Sequence, residues 1–219
     1  MAWPKLLVLV RHAESEGNVL SVAQRANLDT ATYAYKLTER GRKQAKITSE
    51  FLRKKIGLFD VYYVSYYERS KETMRIMYPK ARVYEDPRLA EGQRGIWHVL
   101  TKKQVARKFP WEIIRKEREG LYHYRPWGGE NWPDIELRIH SFLGTLSRDC
   151  EDKKVIIVVH GHWLILFQKL IHHFSIEEAL KKQKADFFKN ASLTIYEGKN
   201  KQSRLILKEE NFVPWEGKI

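Results

Sequence analysis

The stretch Leu6-Leu7-Val8-Leu9-Val10-Arg11-His12-Ala13-Glu14-Ser15-Glu16-Gly17-Asn18 decides how this chain is read. Its five leading apolar residues are rich in β-formers and too few for a buried helix, which predicts a strand covered on both faces. The run then turns abruptly polar, and its first polar residues are Arg11 and His12. Reacting groups in open α/β sheets collect beyond the carboxyl ends of such strands, so Arg11 and His12 are expected at a site. A second copy of the pattern lies far downstream, where Val155-Ile156-Ile157-Val158-Val159 runs straight into His160-Gly161. Two buried strands, each delivering a histidine at its exit, predict an α/β protein.

Composition narrows the class. The chain has 219 residues, enough for a full core, and 43% apolar content with seven tryptophans excludes a disordered polymer. No repeat, linker or low-complexity segment marks a boundary, so a single domain over residues 1–219 is expected. The net charge of +13 comes from basic residues scattered along the chain. It fits a solvated basic surface first, and a phosphorylated small substrate or a nucleic acid second. Cys150 is the only cysteine, which excludes an intrachain disulfide and a cysteine-based zinc site. Pro4 and Lys5 precede a short apolar run with no small-residue cleavage site behind it, so no signal peptide is expected. No apolar stretch approaches the ~20 residues that cross a bilayer. A cytoplasmic location with no membrane partner follows as the expectation.

Working outward, residues 19–36 read as a short helical piece and a loop near the site. Thr38 is placed to cap a helix with Gly41, Ala45, Thr48, Leu52 and Ile56 on one face, Gly41 allowing close approach and Gly57 ending it. Val61–Ser65 reads as a strand leading into a helix that stops before Pro79, and residues 81–84 as a short strand. Residues 87–95 read as a mobile acidic loop, and 101–119 as helical pieces interrupted by Pro110. A helix begins near Pro133 with Ile135, Ile139, Phe142, Leu143 and Leu146 on its buried face. Another follows His160, with Trp163, Phe167, Leu170, Ile171 and Phe174 on one side. A Lys-rich helical stretch is expected over 175–189. Strands at 193–196 and 204–207 close the chain around a hairpin-like turn at Gly198-Lys199-Asn200-Lys201.

An arginine beside a histidine at a strand exit suits phosphate chemistry. A guanidinium presents paired donors to two phosphate oxygens, and a neutral imidazole nitrogen can attack phosphorus. Adjacent guanidinium charge disfavours the imidazolium and keeps that nucleophile free. Alone, an Arg-His pair carries little information. Here it opens an ordered set: Arg11-His12-Ala13-Glu14 with Asn18; Leu37-Thr38 with Gly41, Gln44 and Ala45; Ser65, Arg69 and Thr73; Leu89, Glu91 and Gly95; Gly129-Glu130-Asn131; His160-Gly161-His162; and Asn190 with Ser192. In that order the blocks resemble those of the histidine phosphatase superfamily, with Asn131 where the family carries serine.

The resemblance implies a phosphoglycerate-mutase-like fold, a three-layer α/β sandwich with a mostly parallel central sheet between helices. It implies that His12 attacks phosphorus and becomes phosphohistidine, and that Glu91 serves as general acid and then general base. Arg11, Asn18, Arg69, Gly161 and His160 would surround the phosphoryl group, His160 as imidazolium. No cofactor and no metal are implied, since these side chains supply the positive charge. His162 and the pair His172-His173 read as metal ligands only weakly, because adjacent side chains on a helix diverge. The expected partners are a phosphorylated small molecule as substrate and inorganic phosphate as product; the sequence does not specify the oligomeric state. Gln24, Arg25, Arg94, Trp97, His98, Tyr124 and Arg125 are candidate substrate-binding residues, on loops expected to overhang the site. Trp127 and Trp132 read as packing. Family mutases carry a longer insertion where this chain has only residues 96–128, which favours a phosphatase. A mutase, or a non-catalytic phospholigand- or RNA-binding module resting on the basic charge, are the alternatives.

Overall fold

The apolar run Leu6–Val10 forms a strand because alternate side chains find a helix layer on each side. Leu7 and Leu9 pack with Val155, Ile157, Ile139 and Phe142, while Val8 and Val10 pack with Ile156, Val158, Leu52 and Met74. A strand buried on both faces carries no polar residue until it leaves the sheet, as the sequence shows. The computed structural model describes residues 2–199 and 204–219.

In chain order the elements are β1 (Leu6–Arg11), α1 (Glu16–Val19), α2 (Val22–Ala26), α3 (Glu39–Lys55), β2 (Val61–Val64), α4 (Glu68–Met77), β3 (Val83–Glu85), α5 (Lys102–Lys108), α6 (Pro110–His123), α7 (Trp132–Asp149), β4 (Lys154–Val159), α8 (Gly161–His172), α9 (Ile176–Lys184), β5 (Leu193–Lys199) and β6 (Arg204–Phe212). The sheet order is β3-β2-β4-β1-β5-β6. β3, β2, β4 and β1 run parallel, and β5 and β6 are antiparallel. Helices α3 and α4 cover one face and α7 and α8 the other, giving the three-layer α/β sandwich. Among the described residues, no helix is long and apolar enough to cross a membrane.

Register positions the site. β1 and β4 pair with Arg11 opposite Val159, so His12 and His160 leave the sheet side by side. Val64 of β2 pairs with Val158, which puts Ser65 level with Val159 and Arg11, one residue short of the two histidines.

Several sequence expectations shift. The helical pieces over 101–119 do break at Pro110, which opens α6 with its missing N–H in a first turn where none is needed, and α6 runs on to His123. The Lys-rich helix stops at Lys184, and Asp186 with φ +41° turns the chain toward the site. β5 runs on to Lys199, so Gly198 and Lys199 are strand; Asn200 and Lys201 of the expected turn lie outside the described residues. The loop over 87–95 is pinned rather than mobile. Arg138 of α7 donates to the Arg88 carbonyl (2.9 Å) and the Ala90 carbonyl (2.8 Å), and the Trp163 indole donates to Arg88 O (3.0 Å).

Thr38 caps α3, its hydroxyl accepting from the Gly41 N–H at 2.9 Å, and also donates to Glu14 Oε1 at 2.7 Å. A β-carbon on Gly41 would sit 2.0 Å from the Glu14 carbonyl oxygen. Backbone cannot yield as a side chain can. Gly41→Ala is therefore expected to destabilise the protein by about 2 kcal/mol, outweighing alanine's helix preference, and urea unfolding of the two proteins measures it.

Candidate active site

The site lies beyond the carboxyl ends of β1, β4 and β2, in a cavity of about 240 Å³ lined by Arg11, His12, Asn18, Arg69, Glu91 and Gly161 among others. His12 Nδ1 lies 2.8 Å from the carbonyl oxygen of Ala13. A carbonyl only accepts, so Nδ1 carries the proton and Nε2 keeps its lone pair. Arg69 Nε–H donates to that lone pair at 3.0 Å. His12 is thus held as a neutral imidazole with its reactive nitrogen facing a guanidinium. Burial, then the charges of Arg69 and Arg11, hold its pKa well below the ordinary histidine range.

Ser65, Arg69 and Thr73 explain their own spacing. Ser65 follows β2, and its hydroxyl lies 2.8 Å from His160 Nε2. One turn on, Arg69 reaches His12 through Nε and His160 Nδ1 through Nη2 (3.2 Å), and its Nη1 donates to Thr32 O at 3.0 Å. Another turn on, Thr73 Oγ1 accepts from the Ala13 N–H at 3.0 Å and donates to Arg69 O at 2.7 Å. Residues four apart share a helix face, so one helix end holds both imidazoles and the loop between.

His160 corrects an expectation. Its ring centroid lies 5.1 Å from that of His12, so the two imidazoles meet. A guanidinium cannot accept, so His160 Nδ1 must, and the ring is neutral with Nε2–H directed at Ser65. It is fully buried, and that burial, followed by the charge of Arg69, keeps it neutral rather than imidazolium.

Arg11 crosses Gly161, where a β-carbon would sit 3.3 Å from Arg11 Nε. Its Nη1 donates to Phe188 O and to Asp186 Oδ1 (3.1 Å). Its Nε is buried with no partner among the described residues. A buried, unanswered guanidinium N–H at a cavity wall is a ready donor to an anion. Asn18 Oδ1 accepts from the Ser15 N–H at 3.0 Å, and among the described residues its amide N–H groups have no acceptor, so they are available to the cavity it lines. Asn190 Nδ2 donates to His12 O at 3.0 Å and fixes the backbone behind the ring.

Glu91 lines the same cavity, its carboxylate accepting from the Gly92 N–H at 3.0 Å. Residues 129–131 support this loop. Glu130 N–H donates to Gln93 O (2.8 Å), and Glu130 Oε2 accepts from Gln93 N–H (2.9 Å). Asn131 caps α7, accepting from the Asp134 N–H at 2.9 Å, a task serine or asparagine performs equally.

The candidate substrate-binding residues divide. Arg25, Arg94 and His98 line the cavity with Glu91. Arg94 also lines an adjoining cavity with Trp97, Tyr124 and Trp132, so Trp132 is not packing alone. Gln24 lies away from both, because its side chain caps α2 by accepting from the Ser21 N–H at 2.8 Å. Arg125 is likewise away, exposed and paired with Asp134. Trp163 is buried in the core. His172 lies 2.9 Å from the Tyr196 hydroxyl, and His173 sits exposed in the turn that ends α8. His162 lines both cavities, its Nε2 buried without a partner among the described residues.

Sequence reading missed Arg138, Asp186 and Phe188. It also missed Glu112, which is buried and accepts from the Tyr124 hydroxyl at 2.6 Å.

The family model of the histidine phosphatase superfamily (branch 1) matches residues 7–211. The chain is 31% identical over 183 residues to a 2,3-bisphosphoglycerate-dependent phosphoglycerate mutase 2 of Gloeobacter violaceus, covering 80% of each chain. It is 32% identical over 156 residues to phosphoserine phosphatase 1 of Hydrogenobacter thermophilus, covering 70% of each. Its fold matches the crystal structure of the alpha-ribazole phosphatase from Shigella flexneri with a TM-score of 0.75 at 21% identity, over 95% of this chain and 98% of that one.

The buried histidines make stability depend on pH. Below about pH 6.5 the unfolded chain protonates its histidines while native His12 and His160 stay neutral, and His98 and His162, pushed down to about 4, do likewise. The unfolded state then binds more protons, so stability falls as pH drops from 6.5 toward 5. His160→Gln is expected to make that fall shallower by up to ~1.4 kcal/mol per pH unit, measured by urea unfolding across the range.

Proposed function

The chain belongs to the histidine phosphatase superfamily, a family of phosphoryl-transfer enzymes, and from that premise we propose that it is a phosphomonoesterase working through phosphohistidine on His12. The observation that supports this reading is the tautomer of His12: Nδ1–H is committed to the Ala13 carbonyl, so the ring's one lone pair is on Nε2, where Arg69 Nε–H meets it at 3.0 Å beside the cavity that Arg11 and Glu91 also line.

An entering phosphoryl group competes for Arg69. As its oxygens take the Arg69 and Arg11 donors, Nε2 is released to attack phosphorus in line with the departing ester oxygen. The P–N bond forms, the P–O bond to the alcohol breaks, and the Glu91 carboxyl gives its proton to the leaving oxygen. Water then attacks the phosphohistidine, Glu91 carboxylate takes its proton, and the P–N bond breaks. Inorganic phosphate leaves, and His12 returns to its Nδ1–H form. The guanidiniums are fixed before the charge develops, which makes electrostatic preorganisation the main contribution. Asn18 donates to the same oxygens, and His160 acts as a neutral positioning group for Arg69.

The similarity to the Gloeobacter enzyme favours a mutase as the second reading. The similarity to phosphoserine phosphatase 1 of Hydrogenobacter thermophilus supports the phosphatase as the first.

The protein is expected to release phosphate from p-nitrophenyl phosphate without added metal, and His12→Ala to abolish release. Robust turnover by that variant would remove the assignment. Enzyme quenched in alkaline detergent should carry phosphate that is labile in acid and stable in base; label on a serine would give the nucleophile to another residue. Glu91→Gln is expected to lower kcat/KM, which reports phosphorylation of His12 alone, by roughly 10²–10⁴-fold on an alkyl phosphate and far less on p-nitrophenyl phosphate, whose leaving group needs no proton. Isomerisation of 3-phosphoglycerate with a bisphosphate primer, without phosphate loss, would instead establish the mutase.

A further inference from the structure

The catalytic cavity opens into a second one of about 390 Å³, and Arg94, His162 and Gln183 line both. Glu91 faces the first, and the residues that follow it, Gly92, Gln93 and Arg94, line the second. In-line transfer puts the leaving oxygen on the far side of phosphorus from His12, beside the acid that protonates it. The alcohol part of the substrate therefore runs past Glu91 into the second cavity.

Two properties of that cavity define its occupant. Its floor and mouth are apolar and aromatic, with Leu121, Tyr124, Trp132 and Ile135, and Leu121 is 43% exposed. Trp97 is held on its edge, donating from Nε1 to the Tyr124 hydroxyl at 2.9 Å, and buried Glu112 holds that hydroxyl in turn. Three cations also line it: Arg94, Lys102 and Lys116. None of the three has a carboxylate within 4.0 Å among the described residues. The one acid in the lining, Glu130, is paired with Arg138 at 2.8 Å. Lys116 Nζ lies 4.4 Å from the Trp97 ring centroid, so charge and aromatic surface are adjacent. Burial, then the charges of Arg94 and Lys102, depress the Lys116 pKa, a repulsion that an anion would relieve.

We infer that the second cavity binds the leaving group of a phosphomonoester whose alcohol is a flat apolar body carrying a second anionic group, such as a carboxylate. This rests on the phosphatase reading for its chemistry, though not for its binding. A small polar alcohol such as serine would leave most of the cavity unfilled and its cations unanswered.

The test separates the two. Binding of methylphosphonate, 2-naphthylmethylphosphonate and its 6-carboxy derivative is measured by calorimetry at low salt, and turnover of the matching phosphate esters is followed in parallel. The naphthyl probe is expected to bind about tenfold tighter than methylphosphonate, and the carboxynaphthyl probe about tenfold tighter again. The double variant Lys102→Gln, Lys116→Gln should erase the second step and keep the first, while Leu121→Glu should weaken the first. Equal binding of the three probes, or a carboxylate step unchanged in the double variant, overturns the inference. Binding as expected without turnover of any ester supports the inference and overturns the phosphatase reading. Turnover without the ring and carboxylate preference does the reverse.

Discussion

The parallel register of β2, β4 and β1 is the constraint on which the rest depends. With Val64 and Val10 both paired to Val158, and Arg11 paired to Val159, β1 and β4 deliver His12 and His160 at one level, and β2 delivers Ser65 one residue short of them. The next helix turns then add Arg69 and Thr73 without any long connection. A one-residue slip would exchange the faces of β1, turning Leu7 and Leu9 toward the opposite helix layer and His12 away from His160. Since both faces of the strand are buried, the helix layers that build the core also hold the catalytic spacing.

The electrostatics of the site follow from crowding. Arg11 and Arg69 are fixed positive charges, both largely buried, and each imidazole packed beside them would add another if protonated. The protein keeps the arginines charged and the histidines neutral, and spends the remaining donors on carbonyls: Thr32 for Arg69, Phe188 for Arg11. Concentrated positive charge with a donor left over is costly in the absence of an anion and favourable in its presence. Buried neutral histidines likewise trade stability at low pH for a reactive lone pair at neutral pH.

The strands and the ordered blocks were legible because they reflect backbone geometry: a buried strand admits no polar residue, and Ser65, Arg69 and Thr73 repeat at helical spacing. What sequence could not show was where long polar side chains end. Arg138 reads as a solvated helix residue but reaches two carbonyls of the acidic loop. Glu112 sits among charges on α6 yet is buried as the anchor of Tyr124. Gln24 was readable: Ser21-Val22-Ala23-Gln24 has capping-box spacing, and local capping claims its side chain. The neutral state of His160 was hidden because no motif reports how deeply a ring is covered.

The antiparallel placement of β5 beside β1 has a consequence for how the molecule is completed. Strand β5 begins at the site end of the sheet, so the chain must pass His12 on its way in: Asn190 grips the His12 carbonyl, and Asp186 and Phe188 hold Arg11. Along the chain, the histidine and the residue that clamps its carbonyl are 178 positions apart. A chain cut before Asp186 keeps the reactive ring but loses the frame that aims it, so the anion site depends on contacts closed across nearly the whole sequence.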